Sequence, residues 1–418
     1  MAKERLTPKN IDRNWIFTFF GTAIGAGILF LPIQTGTAGI LVVVISMLLA
    51  FVATYYSQKY FTVFIVRSKD SESYDSALAS YWGKWASIAI SGLWAIALFV
   101  PLTIYTTALS ANLAQFIYDY TPTHIKLFGN PFVSMVLMAI CIAILLTSED
   151  TIISFTNKIG NVLLFLLIAI TILFIPFWKF PNGLLNFDWS LSTMLKNLLM
   201  TFPLYNGALV FYMTIPPMIM FYRKNYPQLT LNQQEQKTTE LNKYALIMTA
   251  VFTMVFLLSA SLTLSPEDID YAVKNNVSAL AILGIGKELN VIMHIIKFTG
   301  YLVIFFAMIT SFFGVAIGAI AMWSHLVPAP KRWNEKRKKK ITTIFLLVLV
   351  WVISAFNINI LDLMGFLSTP INAAVSFIIP TVIIFSSKSL KEFRGLAALL
   401  VFLLGIITLV SYLIGSRL

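Results

Sequence analysis

The stretch FFGTAIGAGILFLP sets Gly21, Gly25, Gly27 and Pro32 inside an apolar run that would otherwise read as one continuous helix. Glycine weakens a helix by its freedom, and proline removes an amide donor and crowds the preceding turn. An interrupted helix leaves amides and carbonyls without intrahelical partners, and the positive end of a half-helix attracts a carboxylate. Residues Thr22, Ala23, Ile24, Gly25, Ala26 and Gly27 are therefore read as part of an unwound segment, 21–27, that holds the carboxylate of a small solute. The competing reading is close helix packing through Gly21-x-x-x-Gly25. A second interrupted run weighs against it: PLYNGALVFYMTIPPMIMFY carries Gly207 and Pro216-Pro217. Just before those prolines stand Phe211, Tyr212, Met213 and Thr214, which supply apolar and aromatic walls and one hydroxyl.

Two further polar clusters lie within apolar runs. Tyr105, Leu109 and Asn112 share a helix face, either tying helices together or placing Tyr105 over the solute. Thr310 and Ser311, in AMITSFFGVAIG, bring two hydroxyls into a run whose Gly314-x-x-x-Gly318 permits close packing. Hydroxyls beside unwound carbonyls suit a sodium ion; the alternative is that each bonds its own helix one turn back. Three charges near the ends of apolar runs, Lys158, Lys297 and Asp362, are expected to snorkel to an interface. His124, His294 and His325 fall away from mid-depth, so no histidine proton relay is expected.

These clusters need elements that cross a membrane. Of the 418 residues, 58% are hydrophobic and 11% charged, where soluble domains carry about a quarter charged. Apolar runs long enough to span hydrocarbon recur near 15–38, 39–66, 85–118, 132–147, 151–176, 194–222, 241–264, 289–322, 341–357, 359–386 and 393–415, which gives about eleven spans. The first two are separated by a tight turn near Gly39. If the N-terminus is cytoplasmic, 23 of the 30 Lys and Arg fall inside and 7 outside, so the N-terminus is expected inside and the C-terminus outside. The basic patch KRWNEKRKKK at 331–340 falls inside, as a positive-inside anchor in preference to an anionic-lipid switch.

The spans divide into a first five-helix repeat (15–176), a second (194–386) and an extra helix (393–415), and each repeat opens on an interrupted helix. Breaks at corresponding positions of inverted repeats point to a midplane binding site. The whole is read as one all-α integral membrane domain. The net charge of +12 is spent on membrane orientation, not on nucleic acid. The only cysteine, Cys141, gives no disulfide framework. With no Walker loop, zinc-ligand spacing or acidic pair, neither an enzyme nor a cofactor is expected, and no cleaved signal peptide is read at the N-terminus.

FFGTAIGAGILFLPI resembles the first span of the bacterial hydroxy and aromatic amino acid permeases, the serine, threonine, tryptophan and tyrosine carriers of the amino acid-polyamine-organocation superfamily. LFVPLTIYTTALSAN resembles their third span, ITSFFG their eighth and LMGFLSTPINAAVSFIIP their tenth, in order. The resemblance implies a leucine-transporter-like fold in the inner membrane and alternating-access import of an amino acid driven by a proton or sodium gradient. Exchange, export and nutrient sensing are the alternatives. Two departures stand out: FYMTIPP replaces the family's serine-phenylalanine-asparagine-histidine-serine stretch, and Val315 replaces a histidine. Both point to a larger, more apolar substrate.

Overall fold

The computed structural model describes residues 8–35, 38, 40–68, 74–147, 149–179, 190–281, 291–327, 330 and 333–415, and among these it contains helices and no strand. The first run forms α1 (Pro8–Ala23) and α2 (Ala26–Thr35), bent by 43°. Then come α3 (Ile40–Val66), α4 (Tyr74–Tyr120), α5 (Pro131–Leu145) and α6 (Glu149–Phe174). The second interrupted run forms α7 (Leu191–Leu209) and α8 (Ile215–Asn225), followed by α9 (Leu231–Thr263) and the short α10 (Pro266–Asn275). The chain closes with α11 (Val291–Leu326), α12 (Glu335–Ser354), α13 (Ile360–Ser386) and α14 (Leu396–Gly415).

Among the described residues, seven helices are long and apolar enough to cross a membrane, or eight if α1 and α2 count as one bent span. Two more apolar helices, Pro131–Leu145 and Leu396–Ser411, are shorter. Every expected span coincides with one of these helices or with α12. The expected 85–118 span is the part of α4 beyond a backbone break at Gly83. The turn near Gly39 lies outside the described residues.

Helix starts follow local chemistry. Thr230 and Gln233 form a reciprocal capping box on α9, and Ser265 and Asp268 another on α10, satisfying amides that a helix start leaves open. Asn276 ends α10 in the left-handed region, a conformation asparagine tolerates well. α13 contains two π-helical segments, Leu363–Ser368 and Ala373–Ile378.

The helices pack in two groups. α1 packs on α9, α2 on α7 and α9, and α3 on α7 and α9 around the breaks; α4, α5, α11 and α12 form a second set, with α6 packed against α1, α9 and α11. At the Lys/Arg-rich end, Arg67 pairs with Glu235 at 2.6 Å, Arg223 donates to the Val66 carbonyl at 2.6 Å, and Asp12 accepts from Tyr222 and Lys237. At the opposite end, the buried stretch Val277–Ala281 is wedged between helices: Asn112 accepts from the Ser278 amide at 3.1 Å, and the Ala279 amide donates to the Leu29 carbonyl at 3.2 Å.

Candidate functional site

The break between α1 and α2 is narrower than the expected 21–27. Only Ile24 and Gly25 leave the helix, while Gly21, Thr22, Ala23, Ala26 and Gly27 keep helical geometry. The break occurs where α11 presses closest. A Cβ on Gly25 would stand 2.5 Å from Ser311 Oγ and 2.9 Å from the Tyr105 ring, and one on Gly314 would stand 2.9 Å from Thr22 Oγ1. The amides of Ala26, Gly27 and Ile28, in the first turn of α2, have no intrahelical acceptor.

Facing them, α7 ends at Leu209. Val210 and Phe211 are non-helical and a short 3-10 turn, Tyr212–Thr214, leads into α8. Pro216 and Pro217 sit in the first turn of α8, where a missing amide costs nothing. The Leu209 carbonyl freed at the break accepts from Gln58 at 3.3 Å, as a backbone group in hydrocarbon must find a partner.

Between the breaks lies a cavity of about 60 Å³, lined by Thr22, Ala23, Ala26 and Gly27, by Tyr105, by Leu204, Gly207, Val210 and Met213, and by Met364, Ser368, Thr369 and Asn372 of α13. The structure thus brings Thr22, Ala23, Ala26, Gly27, Tyr105 and Met213 of the expected residues to one space. Ile24 and Gly25 stand behind it. Phe211 stacks on Phe19 at 4.8 Å and Thr214 donates to the Phe211 carbonyl at 2.7 Å, so both are used locally. Tyr212 is buried and donates to Asn372 Oδ1, and Asn372 in turn donates to Ser368 Oγ at 3.1 Å. This polar edge on α13 was missed by sequence reasoning. Its signal is the polar spacing Ser368, Thr369, Asn372 in an otherwise apolar run.

Thr310 and Ser311 are fully buried. Thr310 Oγ1 bonds the Phe306 carbonyl at 2.9 Å, one turn back, and also meets Ala307 O at 3.0 Å and Gly21 O at 3.3 Å. Ser311 Oγ reaches across to the carbonyls of Gly21, Thr22 and Ile24 at 3.1, 3.2 and 3.0 Å, and its side chain also engages the Tyr105 phenol. Uncharged oxygens therefore converge at the α1 break from two elements. No group of three His, Cys, Asp or Glu that could hold a metal occurs among the described residues.

On the α4 face, Asn112 ties helices: it donates to the Ala108 carbonyl and accepts from Ser278. Lys158 and Asp362 are exposed. Lys297 does not snorkel: it is buried and pairs with Asp119 at 2.9 Å, with side chains 7% and 9% exposed, and Asp119 also accepts from Tyr301 and Gln115. His124 and His294 are exposed; the His325 side chain lies outside the described residues.

Long apolar helices, two of them broken around a buried cavity, are those of a multi-pass integral membrane protein. The chain belongs to the tryptophan/tyrosine permease family, whose profile matches residues 16–411, and its place is accordingly the inner membrane. It is 27% identical over 429 aligned positions to a probable serine transporter of Escherichia coli (strain K12), covering 98% of this chain and 93% of that one. It is 24% identical to a threonine/serine transporter of Edwardsiella tarda, over 97% and 95% of the two chains. An inner membrane transport protein of Escherichia coli (strain K12) is 26% identical over 94% and 95%.

Proposed function

We propose that the protein imports a small amino acid by sodium symport with alternating access. The observation that carries this reading is the convergence of Ser311 on three carbonyls of the α1 break, directly behind a cavity lined by the start of α2. In that cavity the substrate carboxylate meets the open amides of Ala26 and Gly27, and its amine meets carbonyls at the ends of α1 and α7. The carbonyls of Gly21, Ile24 and Ala307 with the hydroxyls of Thr310 and Ser311 form an all-oxygen cage for the cation, once the two hydroxyl protons turn outward. Because substrate and ion share the α1 break, each favours the same conformation, which is the differential affinity that coupling requires.

Sodium is preferred to a proton because, among the described residues, no Asp, Glu, His or Lys lines the cavity or contributes to the cage. Size also narrows the substrate. A water needs roughly 10–15 Å³ on the same measure, so 60 Å³ admits about five waters, which suits serine or threonine better than tryptophan. The relatives are named for serine and threonine, and the Ser368 and Asn372 edge offers a partner for a substrate hydroxyl. The larger, more apolar substrate suggested by FYMTIPP is set aside, since Phe211 and Tyr212 do not line the cavity.

Contacts of α1, α2 and α3 with α7 and α9, and of α4 and α5 with α11 and α12, join elements from corresponding positions of the two halves. This supports reading the molecule as a five-plus-five inverted repeat of the leucine-transporter type, with eleven spans. The ties at each end, Asp12 with Tyr222 and Lys237, and Ser278 with Asn112, are then the contacts that open in turn. The test is uptake by purified protein in liposomes, with labelled amino acids under an imposed sodium or proton gradient. Concentrative uptake of serine or threonine under sodium alone is expected. Uptake under a proton gradient alone would overturn the cation assignment, and binding without uptake under either gradient would favour a sensor or exchanger.

A further inference from the structure

A groove of about 520 Å³ lies at the Lys/Arg-rich end of the bundle, away from the transport cavity. One wall is the first turns of α12, which present Lys336, Arg337, Lys339 and Lys340. The floor is apolar, formed by Leu146 after α5, Ile152 of α6 and Ile317 of α11. Among the described residues no carboxylate lines it. Lys336, Arg337 and Lys340 are exposed and enter no ion pair among the described residues, and the Arg337 guanidinium lies 5.6 Å over the Trp333 ring.

We propose that this groove is a binding site for one anionic phospholipid of the adjoining leaflet, its headgroup phosphate held by the α12 cations and an acyl chain laid on the apolar floor. The combination decides the class of ligand. A free phosphate would use the wall and leave the floor wet, and a zwitterionic lipid would bring its own cation to a wall that already presents Lys336, Arg337 and Lys340. A diffuse positive-inside anchor needs charge but no cavity, whereas here the cations rim a concave apolar surface built by three other segments. Basic pockets between spanning helices on the positive side are a recurrent solution for anionic headgroups. Because Ile152 and Ile317 belong to α6 and α11, a bound chain also bridges the helix that carries Thr310 and Ser311 to its neighbour.

The experiment is native mass spectrometry of the full chain in detergent, titrated with phosphatidylglycerol, phosphatidylcholine or inorganic phosphate. One phosphatidylglycerol is expected to be retained and phosphatidylcholine not. Each interfacial Lys or Arg contributes about fivefold to such affinity. K336Q/R337Q/K340Q should therefore weaken phosphatidylglycerol retention by about a hundredfold, and K340Q alone by about fivefold. K336R/R337K/K340R should retain the lipid, which separates lost charge from lost fold. The control K224Q/K388Q/K391Q, at the same end but outside the groove, should bind like the parent. Equal loss in the groove and control variants would reduce the patch to a diffuse anchor and overturn the proposal. Inorganic phosphate displacing the lipid at comparable concentration would overturn it in favour of a free-anion pocket. The readout involves no amino acid and no gradient, so it stands or falls apart from the transport assignment.

Discussion

A serine inside a helix commonly returns its hydroxyl proton to the carbonyl one turn back. Thr310 does so, but Ser311 spends its hydroxyl on the α1 break, and S311A should therefore act on the cation in preference to the fold. Losing one ligand of a charged group is worth about 1.5–3 kcal/mol, so half-maximal uptake should need roughly tenfold or more sodium, read from uptake against sodium concentration. Gly25→Ala tests the same contact by force. Its Cβ falls 2.5 Å from Ser311 Oγ and 2.8 Å from Ser311 Cβ, an overpacking that costs about 1–3 kcal/mol; uptake should be lost while the protein still reaches the membrane. Asp119→Asn leaves the Lys297 charge buried without its partner at 2.9 Å. Stability should fall by about 3–5 kcal/mol, and D119N/K297M should recover part of it in thermal unfolding. The hydroxyls at 310 and 311 were legible as a candidate pair from their place in an apolar run. Which of them crosses to α1 was not, because helix periodicity says nothing about a neighbour's open carbonyls.

The two interrupted helices were foreseen from glycine and proline placement, yet their limits moved. Gly21 and Gly27 remain helical, in the last turn of α1 and the first turn of α2. The use of Gly27 is proximity: a Cβ on it would stand 3.4 Å from the Ala208 backbone. A missing side chain reads the same in a sequence whether it loosens a helix or admits a neighbour. α13 shows the reverse. Its π-helical segments shift which side chains face inward, so Ser368, Thr369 and Asn372 reach the cavity, a change of phase that helix periodicity does not announce. At the other end of α1, the contacts of Asp12 with Tyr222 and Lys237 hold that helix against α8 and α9. Asp12→Asn should raise amide hydrogen exchange across α1 while leaving α11 protected, and unchanged exchange in α1 would mean the tie does not restrain it.

Across the molecule, orientation is open to direct measurement because Cys141 is buried. The parent should resist a membrane-impermeant maleimide in intact cells. A cysteine placed at Lys126 should label from outside, and one at Lys391 only after the membrane is permeabilised. The opposite pattern would reverse the topology read from the Lys and Arg distribution. Membrane residence, the approximate spans, the pair of broken helices and the buried hydroxyls all follow from hydropathy, charge placement and chain-breaking residues. These act along the chain and need no knowledge of what packs where. The contacts that make a site do need it: Ser311 against the α1 carbonyls, Asn372 against Tyr212, Lys297 against Asp119, and the α12 cations over the floor laid by α5, α6 and α11. Each joins residues far apart in sequence, and the energy of a buried polar group depends on the partner that folding brings to it.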